Sequence, residues 1–203
     1  MGKYLNPGSR KFNSSLKSKI YVDKSELIAK LNPLIDTDDR YVCVSRPRRF
    51  GKTMAANMLA AYYGRGIDST SLFDGLSISK FQTYESHVNQ YDCIAVNIQE
   101  FLSRLKLKNK KDELSVEDLV ESLNLEMIGE VLKHYPDVDY SDPSDFIHVF
   151  YDAYIHNDRQ FVILIDEWDC IFREYKEDLK AHVYYLDFLR LWLKTKNMLA
   201  WRI

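Results

Sequence analysis

The run Phe161-Val162-Ile163-Leu164-Ile165, unbroken by any polar side chain and stopped by Asp166-Glu167, constrains the fold of this chain more than any other segment. Side chains of a strand alternate sides with a period of two, so five consecutive apolar residues leave no face for water and call for a sheet covered on both sides. Tyr41–Ser45 and Cys93–Ile98 read as two further strands. Helical spacing of apolar residues runs through Lys52–Tyr63, Val116–Leu132, Asp145–His156 and Leu186–Leu193. Strands that alternate with helices predict an α/β domain with a mainly parallel sheet.

The 203 residues are enough for one sizeable core, and 46% hydrophobic with 29% charged residues excludes a disordered chain. With 28 Lys+Arg against 30 Asp+Glu, the net charge of -2 gives no global field for nucleic acid or an anionic membrane. No apolar run approaches the roughly 20 residues of a membrane helix, and the start MGKYLNPGSRKF lacks a signal-peptide stretch, so a cytoplasmic protein with no membrane partner is expected. The three cysteines, Cys43, Cys93 and Cys170, sit among apolar neighbours without a CxxC pair and are expected to be buried free thiols on strands. Residues 1–20 form a basic arm, expected to be extended or loosely ordered. Asp23-Lys24-Ser25-Glu26 has the form of a capping box, with Asp23 accepting from the Glu26 N–H, and the helix it starts should stop at Asn32-Pro33. The basic cluster Arg104, Lys106, Lys108, Lys110 and Lys111 reads as a solvated loop.

Two motifs carry chemistry. Gly51-Lys52-Thr53 follows a strand and opens a helix, as in a phosphate-binding loop where helix N-terminal amides hold phosphate oxygens, the lysine reaches the outer phosphates and the hydroxyl ligates Mg²⁺. The first glycine of GxxxxGK[ST] would fall on Arg46, so the match is partial, and a charged turn before an ordinary helix is the competing reading. The second motif is the Phe161–Ile165 strand running into Asp166-Glu167, which has the form of a strand that positions Mg²⁺ with its aspartate and a water with its glutamate. Two acids capping the next helix would be the simpler account of that motif alone; Trp168 reads as a packing residue. Found in order after the lysine loop, the pair favours a nucleotide site.

Ser45-Arg46-Pro47-Arg48-Arg49-Phe50-Gly51-Lys52-Thr53, with Tyr21-Val22-Asp23-Lys24 and Leu164-Ile165-Asp166-Glu167-Trp168-Asp169, resembles the bacterial AAA-ATPase-like family, whose members carry SRPRRFGK[ST], VDK[TS] and LIDE[YW]D. The resemblance runs from about Tyr21 to Leu193 and makes Arg46 family-typical. It implies a three-layer P-loop NTPase core of the additional-strand type, with Lys52 and Thr53 at the phosphates and Mg²⁺, Asp166 as the metal-side acid and Glu167 as the catalytic carboxylate. Members of the family continue through another core strand and a helical region into a nuclease-like PD-(D/E)xK domain that is not in this sequence. Residues 194–203 lose both periodicity and likeness, and are expected to be a poorly packed tail from a shifted reading frame that leaves the core incomplete and the Phe161–Ile165 strand an open edge.

The first reading is therefore a module that binds ATP with Mg²⁺ through Arg48, Arg49, Phe50, Gly51, Lys52, Thr53 and Met54, with Lys52 and Glu167 catalytic, Thr53 and Asp166 on the metal, and hydrolysis weak. These residues do not separate ATP from GTP, and a homo-oligomer is open. The alternative is a non-catalytic nucleic-acid-binding module using Arg46, Arg48, Arg49 and the Arg104–Lys111 cluster. A third reading is a decayed fragment without autonomous activity.

Overall fold

A computed structural model describes residues 2–45, 47, 49–109, 114–193 and 199–202. In chain order the elements are α1 (Arg10–Leu16), α2 (Glu26–Leu31), α3 (Lys52–Tyr63), α4 (Tyr84–His87), β1 (Asp92–Asn97), α5 (Ile98–Asn109), α6 (Val116–His134), α7 (Phe146–Asn157), β2 (Phe161–Asp166), α8 (Cys170–Glu174), α9 (Leu179–Leu193) and β3 (Leu199–Arg202). The protein is α/β, with a small open sheet in the order β1-β2-β3 in which β2 and β3 run parallel. The chain divides into two compact units, Met1–Ala95 with Arg159–Leu164 and Leu199–Ile203, and Val96–Asp158 with Ile165–Met198.

In the first unit the core gathers around the second half of α3. Met58, Leu59, Ala60, Ala61, Tyr62 and Tyr63 are buried with Phe12, Ile28, Phe73, Ile78, Cys93, Val162 and Leu164. Two tyrosines in that core would be costly without partners, and both have them. Tyr63 donates to Asn32 Oδ1 at 2.8 Å, Tyr62 donates to the Tyr84 carbonyl at 2.8 Å, and Asn32 Nδ2 donates to the Tyr62 hydroxyl at 3.1 Å. The C-terminal half of α3 is thereby locked, and its first residues, Lys52 and Thr53, are left half-buried and exposed.

The second unit is helical around α6, whose start is a capping box: Ser115 Oγ accepts from Asp118 N at 3.0 Å while Asp118 accepts from Ser115 N. Leu119, Val120, Leu123, Met127, Ile128 and Val131 bury one side of α6, which packs on α7 and α9. Phe146 of α7 meets Trp192 of α9 edge to face at 5.7 Å.

Several expectations need correction. Tyr41 makes a single bridge and Val42–Ser45 have no ladder, so this segment is not the regular strand its composition predicted; its residues alternate exposed and half-buried, and Cys43 is exposed. Cys93 is buried on β1, whereas Cys170 is buried at the start of α8 rather than on a strand. The basic arm is packed: Tyr4 and Leu5 are buried, Leu5 bridges Ile94 antiparallel, and Asn6 donates to Asp92 at 2.8 Å and accepts from Cys93 N at 2.8 Å. Apolar Tyr4, Leu5 and Phe12 outweigh Arg10 and Lys11 between them, whose long stems keep the charge in water. Arg104, Lys106 and Lys108 lie on α5 rather than a loop, because Phe101, Leu102 and Leu105 supply a buried stripe at helical spacing on the same element; Lys110 and Lys111 are outside the described residues. Of the tail, Leu199–Arg202 form β3 beside β2, with Phe161 opposite Leu199 and a bulge before Val162, while 194–198 and 203 are outside the described residues. The strand Phe161–Ile165 is thus the central strand and not an open edge, with every one of its five residues buried. Among the described residues no helix is long and apolar enough to cross a membrane.

Candidate functional site

The phosphate-loop half lies in the first unit. Arg46 and Arg48 are outside the described residues. Arg49 and Gly51 both adopt left-handed backbone, at φ 69° and 76°. Gly51 is the N-cap of α3, its carbonyl accepts from Ala55 N at 3.0 Å, and it brings no side-chain oxygen to the helix start. Lys52 and Thr53 are the first two helical residues, Met54 is half-buried behind them, and Phe50 is 59% exposed. A helix N-terminus carries partial positive charge and favours acidic residues, yet the first turn of α3 contains none and opens on a lysine.

The motif Asp23-Lys24-Ser25 reaches this loop. Asp23 does not cap Glu26 as its spacing suggested: Ser25 is the N-cap residue, and the Asp23 carboxylate accepts from Ser25 N and Ser77 N, both at 2.8 Å. Ser25 Oγ accepts from Ile78 N at 3.0 Å, so the motif clasps the turn Ser77–Lys80. The tertiary partner displaced the local one because one carboxylate satisfies two amides this way. Burial pushes the Asp23 carboxyl up, but the amides of Ser25 and Ser77 outweigh it and hold the group below its ordinary value. A group depressed in the folded state stabilises above its unfolded pKa of about 4 and loses that contribution as the pH falls further. Asp23→Asn should therefore cost up to about 1 kcal/mol at pH 7, discounted for the exposure of the pair, and less at pH 3, the remainder going only as the pH falls through the lowered folded-state pKa. Urea midpoints of parent and variant at the two pH values check this; equal gaps at both would refute it.

The acidic half lies in the second unit. Asp166 ends β2; its Oδ2 accepts from Asn97 Nδ2, at the end of β1, at 3.0 Å, and its Oδ1 accepts from Glu167 N at 3.1 Å. Glu167 stands at φ 52°, a left-handed position that few non-glycine residues take and that costs on the order of 1–3 kcal/mol. Arg173, on α8, forks between two acids: Nη2 donates to Glu167 Oε2 at 2.7 Å and Nη1 donates to Asp169 Oδ2. These bonds, that to Asp169 foremost, raise the Arg173 pKa and fix the Glu167 side chain. Trp168 is 38% exposed and meets Phe172 edge to face at 5.9 Å, so it packs on one side only. Burial pushes the Cys170 thiol up to about 12, which keeps it protonated and inert beside these acids.

Lys24, Asn97 and Arg173 were not singled out for the site from sequence. The i,i+4 spacing of Asp169 and Arg173 was the one local signal; Asn97 required knowing that β1 and β2 are neighbours. The Asp166 carboxylate is an oxygen donor of the class that a hard cation such as Mg²⁺ takes, the rest of such a shell coming from phosphates and water. Asp166 has both carboxylate oxygens oriented, and Thr53 is exposed at the helix start. Among the described residues no three His, Cys, Asp or Glu gather into a metal cage, and such a site does not need one.

The described residues thus hold a glycine-lysine-threonine helix start and an aspartate-glutamate strand end on an α/β chain. Residues 10–200 match the family described as Predicted AAA-ATPase, and the chain belongs to this AAA-ATPase-like family. The match extends the resemblance to both sides, past Tyr21 to α1 and past Leu193 into β3. Neither the curated proteins nor the solved structures gave a match.

Proposed function

We propose that the chain is a P-loop ATPase module that binds ATP and hydrolyses it slowly with Mg²⁺. The observation that carries this reading is the start of α3, where a glycine at φ 76° is followed by Lys52 and Thr53 in a helical turn without acidic residues. In this role the amides of that turn and the Lys52 ammonium hold the phosphates, while the Thr53 hydroxyl and Asp166 would hold Mg²⁺. The metal would neutralise phosphate charge. Asn97 keeps Asp166 in one orientation. Glu167, steadied through Oε2 by Arg173, would take a proton at Oε1 as the water oxygen bonds to the terminal phosphorus and the bridging oxygen leaves with ADP. Oligomer formation belongs to the same proposal.

The competing nucleic-acid reading is weakened on α5, where Arg104 pairs with Glu126 at 2.8 Å and Lys106 with Glu174 at 2.9 Å. One titration separates the two. Parent chain and the double variant Arg48→Gln, Arg49→Gln are titrated with Mg·ATP and with duplex DNA over a salt series. ATP affinity should fall several-fold in the variant, with weak DNA binding unaltered. A loss confined to DNA, with the salt slope reduced by about one per contact removed, would replace this proposal by the other.

A further inference from the structure

We infer that Lys24 is a positioning residue of the phosphate loop, which sets the direction of the Gly51 amide; the inference rests on the nucleotide reading above. Lys24 Nζ donates to the Phe50 carbonyl at 2.5 Å, across 26 residues of chain. The peptide between Phe50 and Gly51 is planar and trans, so its C=O and N–H point in opposite directions. Holding the carbonyl toward Lys24 aims the Gly51 N–H away from it. An amide next to the GKT helix start is one that a phosphate-cradling loop uses, and its direction is otherwise loose, because Phe50 is exposed and offers no packing to hold it.

The fit at this contact is close. A Cβ on Gly51 would stand 2.8 Å from Lys24 Nζ, so the ammonium lies against the glycine's backbone, and the left-handed φ of Gly51 excludes a side chain a second time. Lys24 itself springs from a fixed base. On either side of it Asp23 takes the amides of Ser25 and Ser77, and Ser25 takes that of Ile78. The Asp23-Lys24-Ser25 motif thus joins an anchored turn to the loop.

The test compares the full chain with Lys24→Met and Lys24→Arg. A fluorescent ATP analogue with Mg²⁺ is titrated into each, and hydrogen exchange over residues 45–51 is followed without nucleotide. Lys24→Met should lose about tenfold in affinity, the worth of one charge-assisted hydrogen bond, and exchange faster in this loop; Lys24→Arg, which keeps a donor within reach of the carbonyl, should recover both. A role in general stability alone would not be rescued in the loop by arginine while leaving the rest of the exchange map unchanged. Binding of Lys24→Met within twofold of the parent, or unchanged exchange at 45–51, overturns the inference. A parent chain that does not bind the analogue overturns the nucleotide reading itself, before any variant is made. Lys24→Gln, run in parallel, keeps the comparison open if Lys24→Met does not fold.

Discussion

Lys52→Ala should lower the affinity for Mg·ATP by at least a hundredfold and leave the fold intact. The size follows from charge: the ammonium would meet phosphate oxygens, each such charge-assisted bond is worth roughly 1.5–3 kcal/mol, and a triphosphate engages more than one. The intact fold follows from position. Lys52 is the first residue of α3, whose burial begins at Met58, and alanine is the best helix former. Isothermal titration with ATP and a thermal melt measure the two effects. A folded variant that binds ATP as the parent does would remove Lys52, and with it the phosphate loop, from the proposal.

Glu167→Gln divides binding from chemistry. Glutamine keeps the shape of the side chain and can still contact Arg173 through its amide oxygen, but it takes no proton. ATP affinity should stay within about threefold of the parent, while single-turnover hydrolysis falls by roughly 10²–10⁴, the range for loss of a general base. The left-handed backbone at residue 167 is kept in the variant, so a change in folding would not account for the loss. Equal turnover in parent and variant would show that another group handles the proton. Loss of binding together with turnover would mean that Glu167 holds the ligand, not the water.

Most elements were legible before the coordinates. α3 spans Lys52–Tyr63 as its spacing predicted, α6 starts at Val116 as expected, α7 starts one residue after Asp145, which the structure shows as its cap, and β1 and β2 are within a residue of Cys93–Ile98 and Phe161–Ile165. These are segments whose local pattern and burial agree. Tyr41–Ser45 is not a regular strand because β propensity describes a residue that fits a pleated, half-buried surface, and among the described residues this segment forms a bridge only at Tyr41. The Arg104–Lys108 stretch failed because charges drew attention from the apolar residues between them.

By itself the sequence determined the alternation of strands and helices and the apolar centre of the sheet, and it supplied Gly51, Lys52, Thr53, Asp166 and Glu167 as the candidates on which the proposal rests. Those follow from local periods and short motifs, which the chain carries within a few residues. Only the tertiary structure decided that Asp23 clasps Ser77 instead of capping its own helix, that Lys24 meets the Phe50 carbonyl, that Asn97 holds Asp166, and that Leu199–Arg202 pair with β2. Each joins residues from 26 to 69 positions apart. A polar group chooses such a partner only after packing has removed water from it, and no local pattern records that choice.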